Sequence, residues 1–213
     1  MVDRQLPWLR VSAATGDAPR LTWRWDDLAE AQAAGQDPTG PWRDALAAST
    51  ARQYGQPAPP AMPAAFVLQW ALEVPATVAA YAVVLGPWDP DLSGGSLSFD
   101  LSPQHFPGHV QLRGARLATT GGEARVAAAR AAYEALARPL AATHEPGVRL
   151  GPHQRQAMVD DVWATALHRA QECLADRPAP PPQRASCCYL YALPGTHECT
   201  GCPRLRRRPA VSR

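Results

Sequence analysis

Cys187 and Cys188 stand side by side, ten residues follow, and Cys199-Thr200-Gly201-Cys202 completes the set. Four of the five cysteines in the chain therefore fall within sixteen consecutive positions. Thiols gathered in this way serve as disulfides or as metal ligands. Residues 1–8 carry no basic segment leading into an apolar core and a small-residue cleavage site, so the expected setting is a reducing cytoplasm, where disulfides are rare. Adjacent cysteines also pair badly with each other, because a disulfide demands a particular Cα separation and dihedral angle. Metal ligation is the better reading.

Two kinds of metal centre compete. Four thiolates suit a structural Zn²⁺ ion, but such sites usually present two Cys-x-x-Cys pairs, each wrapping one side of a tetrahedron. Only Cys199 and Cys202 have that spacing here. The other half is an adjacent pair whose side chains diverge, which fits a larger core with two metal atoms. Four-cysteine ligation of a 2Fe–2S cluster uses such sets with widely varying spacings. Geometry favours iron–sulfur and keeps zinc as its rival.

The run Arg184-Ala185-Ser186-Cys187-Cys188-Tyr189-Leu190-Tyr191-Ala192-Leu193-Pro194-Gly195, followed by Cys199-x-x-Cys202-Pro203, resembles the C-terminal iron–sulfur segment of the ferric siderophore reductases, the FhuF-like family. That family carries an adjacent cysteine pair, ten residues, then Cys-x-x-Cys, with an arginine shortly before the pair. The likeness covers about the last 30 residues; Ala192 departs from it, where many members have a basic residue. The resemblance implies that Cys187, Cys188, Cys199 and Cys202 ligate a 2Fe–2S cluster, with Arg184 and Tyr191 beside it. It also implies a ferric siderophore as substrate and an electron-donor protein, ferredoxin-like or a flavoprotein reductase, as partner. Hard oxygen donors prefer Fe³⁺ to Fe²⁺, so one-electron reduction would release the metal without destroying the chelator. Such chemistry needs no general acid, base or nucleophile, and the sequence offers no catalytic group beyond the cluster.

The elements that must hold these cysteines read as an α+β fold: a mainly helical body with a small antiparallel sheet, then a short C-terminal iron–sulfur segment. Short helices are expected at 26–34 and 42–53, the second opened by Thr39-Gly40-Pro41. Residues 64–85 are almost continuously apolar. Gln69, Glu73 and the central Pro75 argue against a transmembrane span and for two buried helices meeting near Pro75. Leu97, Phe99 and Leu101 alternate with polar neighbours, as do Val110 and Leu112, which predicts an antiparallel pair. Gly94-Gly95 and Gly121-Gly122 read as turns. Amphipathic helices are expected at 122–140 and 153–174. The organisation that follows is a body at 1–176, a proline-rich linker at 177–185 and a cluster-binding segment at 186–213. The last is too poor in large apolar side chains to form a core, so metal ligation is expected to supply much of its folding energy.

Several other residues read more plainly. Cys173 falls on the apolar stripe of its helix as a small buried hydrophobe, and His197, beside a cysteine set that is already complete, either faces solvent or hydrogen-bonds around the ligands without joining them. His105 and His109 read as loop and surface histidines, and Asp160-Asp161 as a charged helix surface. The basic run from Arg204 to Arg208 could meet an acidic donor protein.

Composition excludes other classes. Lysine, asparagine and isoleucine are absent together, which points to a GC-rich genome; arginine alone supplies the 21 basic residues. Against 19 acidic residues these give no overall attraction to nucleic acid. No dinucleotide or phosphate loop is present, so electrons must come from another protein. A 2Fe–2S carrier with no substrate of its own would need far less chain. A zinc-stabilised four-cysteine binding protein is the remaining alternative.

Overall fold

The computed structural model describes residues 9–14, 20–93, 95–119, 121–175, 177–199 and 201–205. The readings made at residues 1–8, Gly94, Thr200 and the arginines at 206–208, and the body boundary at 176, lie outside the described residues.

At the centre runs α3 (Ala61–Leu85), apolar over most of its surface apart from Gln69, Glu73 and Thr77, as suits a helix largely enclosed by other elements. Around it stand α2 (Gly40–Tyr54), α4 (Gly122–Thr143) and α5 (Pro152–Glu172), while α1 (Trp25–Ala33) packs against α4 and the sheet. The contact between α3 and α5 is the most extensive in the molecule, with α4 closing the third side. Tyr133 of α4 stacks on Trp163 of α5 at 5.5 Å and donates its hydroxyl to the Val159 carbonyl at 3.0 Å. By length and composition α3 could cross a membrane, but 72% of its most apolar window is buried inside the protein.

The expectation of two helices meeting at Pro75 is corrected: α3 passes through Pro75 without a break. An interior proline loses one helical hydrogen bond and crowds the preceding turn, at a cost of about 3 kcal/mol. Each Leu or Val that α3 buries contributes roughly 1.5–3 kcal/mol, and buried residues continue on both sides of Pro75. Packing therefore outweighs the local penalty.

The strands form two small sheets. β4 (Leu97–Leu101) and β5 (Pro107–Leu112) pair antiparallel, with Phe99 opposite Val110, as the alternation predicts. β2 (Trp23–Arg24) adds antiparallel to β4, while β1 (Arg10–Ala13) adds parallel to β5, so this four-stranded sheet is mixed. A four-residue strand whose partner lies nearly a hundred positions away has no local pattern to announce it. β3 (Trp88–Pro90) and β6 (Ala115–Leu117) form a separate ribbon. Trp23, Trp42, Trp70 and Phe99 join sheet to helices as one aromatic cluster, and Trp42 donates its indole N–H to the His105 carbonyl at 2.6 Å. His105 is thus a turn residue at φ +67°, and His109 hydrogen-bonds Ser12 at 2.8 Å between β5 and β1. Cys173 ends α5 half-buried, its thiol donating to the Arg169 carbonyl, and Leu174 beyond it is exposed. The buried face predicted for that helix therefore stops one turn early.

His144, just past α4, is fully enclosed; its Nδ1 accepts a hydrogen bond from Gln32 Nε2 at 3.1 Å. Burial, reinforced by the charges of Arg43 and Arg155, lowers its pKa to about 4. The unfolded chain takes up a proton near pH 6.5 that the folded chain refuses. Stability is therefore complete above that pH and falls as pH drops toward 4, by about 3 kcal/mol from this group. Urea midpoints measured across pH 4–7 should show this slope in the wild type and lose it in His144→Gln.

Candidate metal centre

Beyond α5 the chain runs without regular structure through 177–183 and then returns across the helical body. Asp161, buried on α5, receives it. Its carboxylate accepts the Ala185 N–H at 2.9 and 3.0 Å, the Ser186 N–H at 2.6 Å and the Ser186 hydroxyl at 2.6 Å. The Arg184 guanidinium lies 4.0 Å from the same carboxylate and donates to Gln69 Oε1 on α3 at 2.7 Å. Gln154, on the first turns of α5, donates to the Cys187 carbonyl at 2.7 Å and accepts from the Tyr189 hydroxyl at 3.0 Å. Two helices thus fix the residues on either side of the adjacent cysteine pair.

The segment then folds upon itself. Tyr189 adopts a left-handed conformation, φ +61°, directly after Cys188, and Leu190–Ala192 form a single 3-10 turn. The Thr196 hydroxyl donates to the Leu190 carbonyl at 2.6 Å and Leu193 is buried, which brings the chain back toward its start. The Cys202 N–H reaches the Cys199 carbonyl at 2.9 Å, and the Arg184 N–H reaches the Gly201 carbonyl at 2.9 Å. Gly201 sits at φ +76°, and a Cβ there would lie 2.6 Å from the Pro182 carbonyl oxygen.

Of the four cysteines, Cys188 and Cys202 are buried while Cys187 and Cys199 are partly exposed. The Cys188 and Cys199 sulfurs lie 3.5 Å apart. A tetrahedral metal with bonds near 2.3 Å sets neighbouring sulfurs about 3.8 Å apart, so this pair is spaced as two ligands of one metal would be. Their contact holds the Cys188 thiol down to about 6 and, with burial, pushes the Cys199 thiol up. Burial also raises Cys187, whose sulfur accepts the Tyr189 N–H at 3.4 Å. Among the described residues no group of three or more His, Cys, Asp or Glu converges as the ligands of a single ion would.

Arg184 and Tyr191 both stand in this segment. Arg184 holds it to α3, whereas Tyr191 lies under the Arg204 guanidinium, 3.9 Å from its ring centroid. His197 is exposed. Asp161 corrects the sequence reading: Asp160 alone lies at the surface, paired with Arg130 and Arg138 at 3.0 and 2.9 Å, while its neighbour is the buried anchor. The signal was present in the spacing. Met158, Asp161, Thr165 and His168 follow at three- and four-residue steps, which aligns them along one side of the helix.

Residues 184–204 match the FhuF 2Fe-2S C-terminal domain, and the cofactor of such a domain is a 2Fe–2S cluster. The match spans the cysteine-bearing segment and not the helical body. No curated protein and no solved structure matches the chain. Four thiols, one close sulfur pair and a backbone N–H directed at a third sulfur fit that cofactor.

Replacing Asp161 with Asn removes a buried charge from three N–H and O–H donors and should weaken docking of the segment by about 3 kcal/mol. Limited proteolysis should then cut within 177–205 while the tryptophan-monitored melting of the body stays in place. Gly201→Ala should lose bound iron on challenge with a chelator. Gly195→Ala, at φ +69° with open space around it, should cost only about 1 kcal/mol and keep its iron.

Proposed function

We propose that the protein is a cytoplasmic ferric-siderophore reductase in which Cys187, Cys188, Cys199 and Cys202 ligate a 2Fe–2S cluster. The match of residues 184–204 to the FhuF 2Fe-2S C-terminal domain carries this reading. The four thiols, with the Cys188 and Cys199 sulfurs 3.5 Å apart, are the groups that would hold the cluster. When bound, the cluster supplies electrons one at a time, the number that converts Fe³⁺ to Fe²⁺.

The rest of the work belongs to the chain. Asp161, Gln154 and Arg184 hold the ligand segment against α3 and α5, so that its sulfurs do not move as charge comes and goes. The Tyr189 N–H at Cys187 stabilises negative charge on that sulfur, a means of raising the potential. Chelated Fe³⁺ gains one electron, its oxygen donors then bind Fe²⁺ weakly, and the metal departs while the released oxygens take up protons from water. An electron-donor protein, ferredoxin-like or a flavoprotein reductase, restores the electron.

Protein purified without oxygen should be brown and contain two irons and two inorganic sulfides per chain. Supplied with a reductant, it should convert an oxygen-donor ferric chelate to Fe²⁺, read with a ferrous-specific dye. Serine at any one of the four cysteines should lower iron content and turnover more than tenfold. A colourless protein with one zinc would overturn the reading. A brown protein that reduces no ferric chelate would leave an electron carrier in its place.

A further inference from the structure

Polar residues inside an apolar helix interface need a reason. On α3, Gln69, Glu73 and Thr77 recur every four residues along one side of an otherwise apolar helix. Across from them, α5 offers Asp161, Thr165, Arg169 and Glu172. Two cavities open along this seam. The smaller, about 270 Å³, is walled by Trp70, Phe106, Val110 and Thr77 and is mostly apolar. The larger, about 440 Å³, is lined by Thr165, His168, Pro182, Arg184 and the cysteine Cys199. Gln69, Glu73 and Arg169 border both, so the two are lobes of one cleft.

We propose that this cleft between α3 and α5 is the binding site of the ferric chelate, its iron-bearing head in the lobe beside Cys199 and its organic arm in the lobe beside Trp70 and Phe106. The assignment rests on the reductase reading and adds to it where the substrate sits. Together the lobes fall in the size range of sites for drug-sized molecules, apolar and aromatic on one side with a few converging polar groups on the other. The head lobe touches a cluster ligand directly, so one electron has only a short gap to cross from sulfur to chelate. Burial raises the Glu73 carboxyl, and Gln69 Nε2 donates to it at 3.1 Å. Arg184, tied to Gln69, links the floor of the cleft to the ligand segment.

Gallium(III) complexes of a trihydroxamate and of a triscatecholate are redox-inert copies of the ferric chelates. Calorimetric titration of the cluster-loaded full-length protein should give binding of at least one of them. Thr165→Trp, which fills the head lobe, should weaken that binding more than tenfold while absorption and iron content stay those of the wild type. Phe106→Ala, at the rim of the other lobe, should weaken it severalfold and serves if the first variant fails to fold. A wild type that reduces the ferric chelate while both folded variants bind its gallium copy unchanged would overturn the cleft alone. A wild type that neither binds nor reduces either chelate would remove the reductase reading, and the occupant with it.

Discussion

The carboxylate of Asp161 is buried, yet it faces an arginine only at 4.0 Å. What offsets its desolvation is a fan of donors from the next segment of chain: two backbone N–H groups and one hydroxyl. Hydrogen bonds to a charged acceptor contribute about 1.5–3 kcal/mol each, and the same charge left alone in the interior would cost several. The dependence runs both ways. Without residues 185 and 186 the helix would carry an unpaired buried acid, and without the acid the cysteine segment would have no firm origin. Gln154 and the Arg184–Gln69 bond extend this attachment to Cys187 and to α3.

The continuity of α3 through Pro75 has the same logic. Gln69 and Glu73 precede Pro75 and Thr77 follows it, and all three face one cavity. A bend at the proline would rotate Thr77 away from the other two. Packing along α5 holds the helix through the defect, so the seam that gathers polar side chains stays in register. The aromatic cluster of Trp23, Trp42, Trp70 and Phe99 fixes the sheet to the far end of that seam.

Much of this was legible in the sequence where the cause is local. The period of apolar residues placed α4 and α5, the alternation at Leu97–Leu101 and in the partner strand placed the central pair, and the cysteine spacing marked the segment that matches a 2Fe-2S domain. Where the cause is distant, local pattern failed. β1 is a strand because β5 offers it an edge, and α3 survives Pro75 because its neighbours enclose it. Asp161 was read as surface because two adjacent acids look alike in sequence, though one faces solvent and its neighbour the interior. Polar residues keeping step with an apolar stripe were the missed clue, on α5 and again at Gln69 and Glu73.

The bond from the Arg184 N–H to the Gly201 carbonyl brings together two points seventeen positions apart. Confining a flexible loop of that length costs about 2.5 kcal/mol of chain entropy. In a free peptide of the same sequence nothing outside the segment would offset that cost. Here the bonds to Asp161, Gln154 and Gln69 offset it, so the closed loop belongs to α3 and α5 as much as to its own residues. Transplanting residues 184–204 onto another scaffold would therefore carry the four cysteines but leave behind the two helices that hold the loop closed.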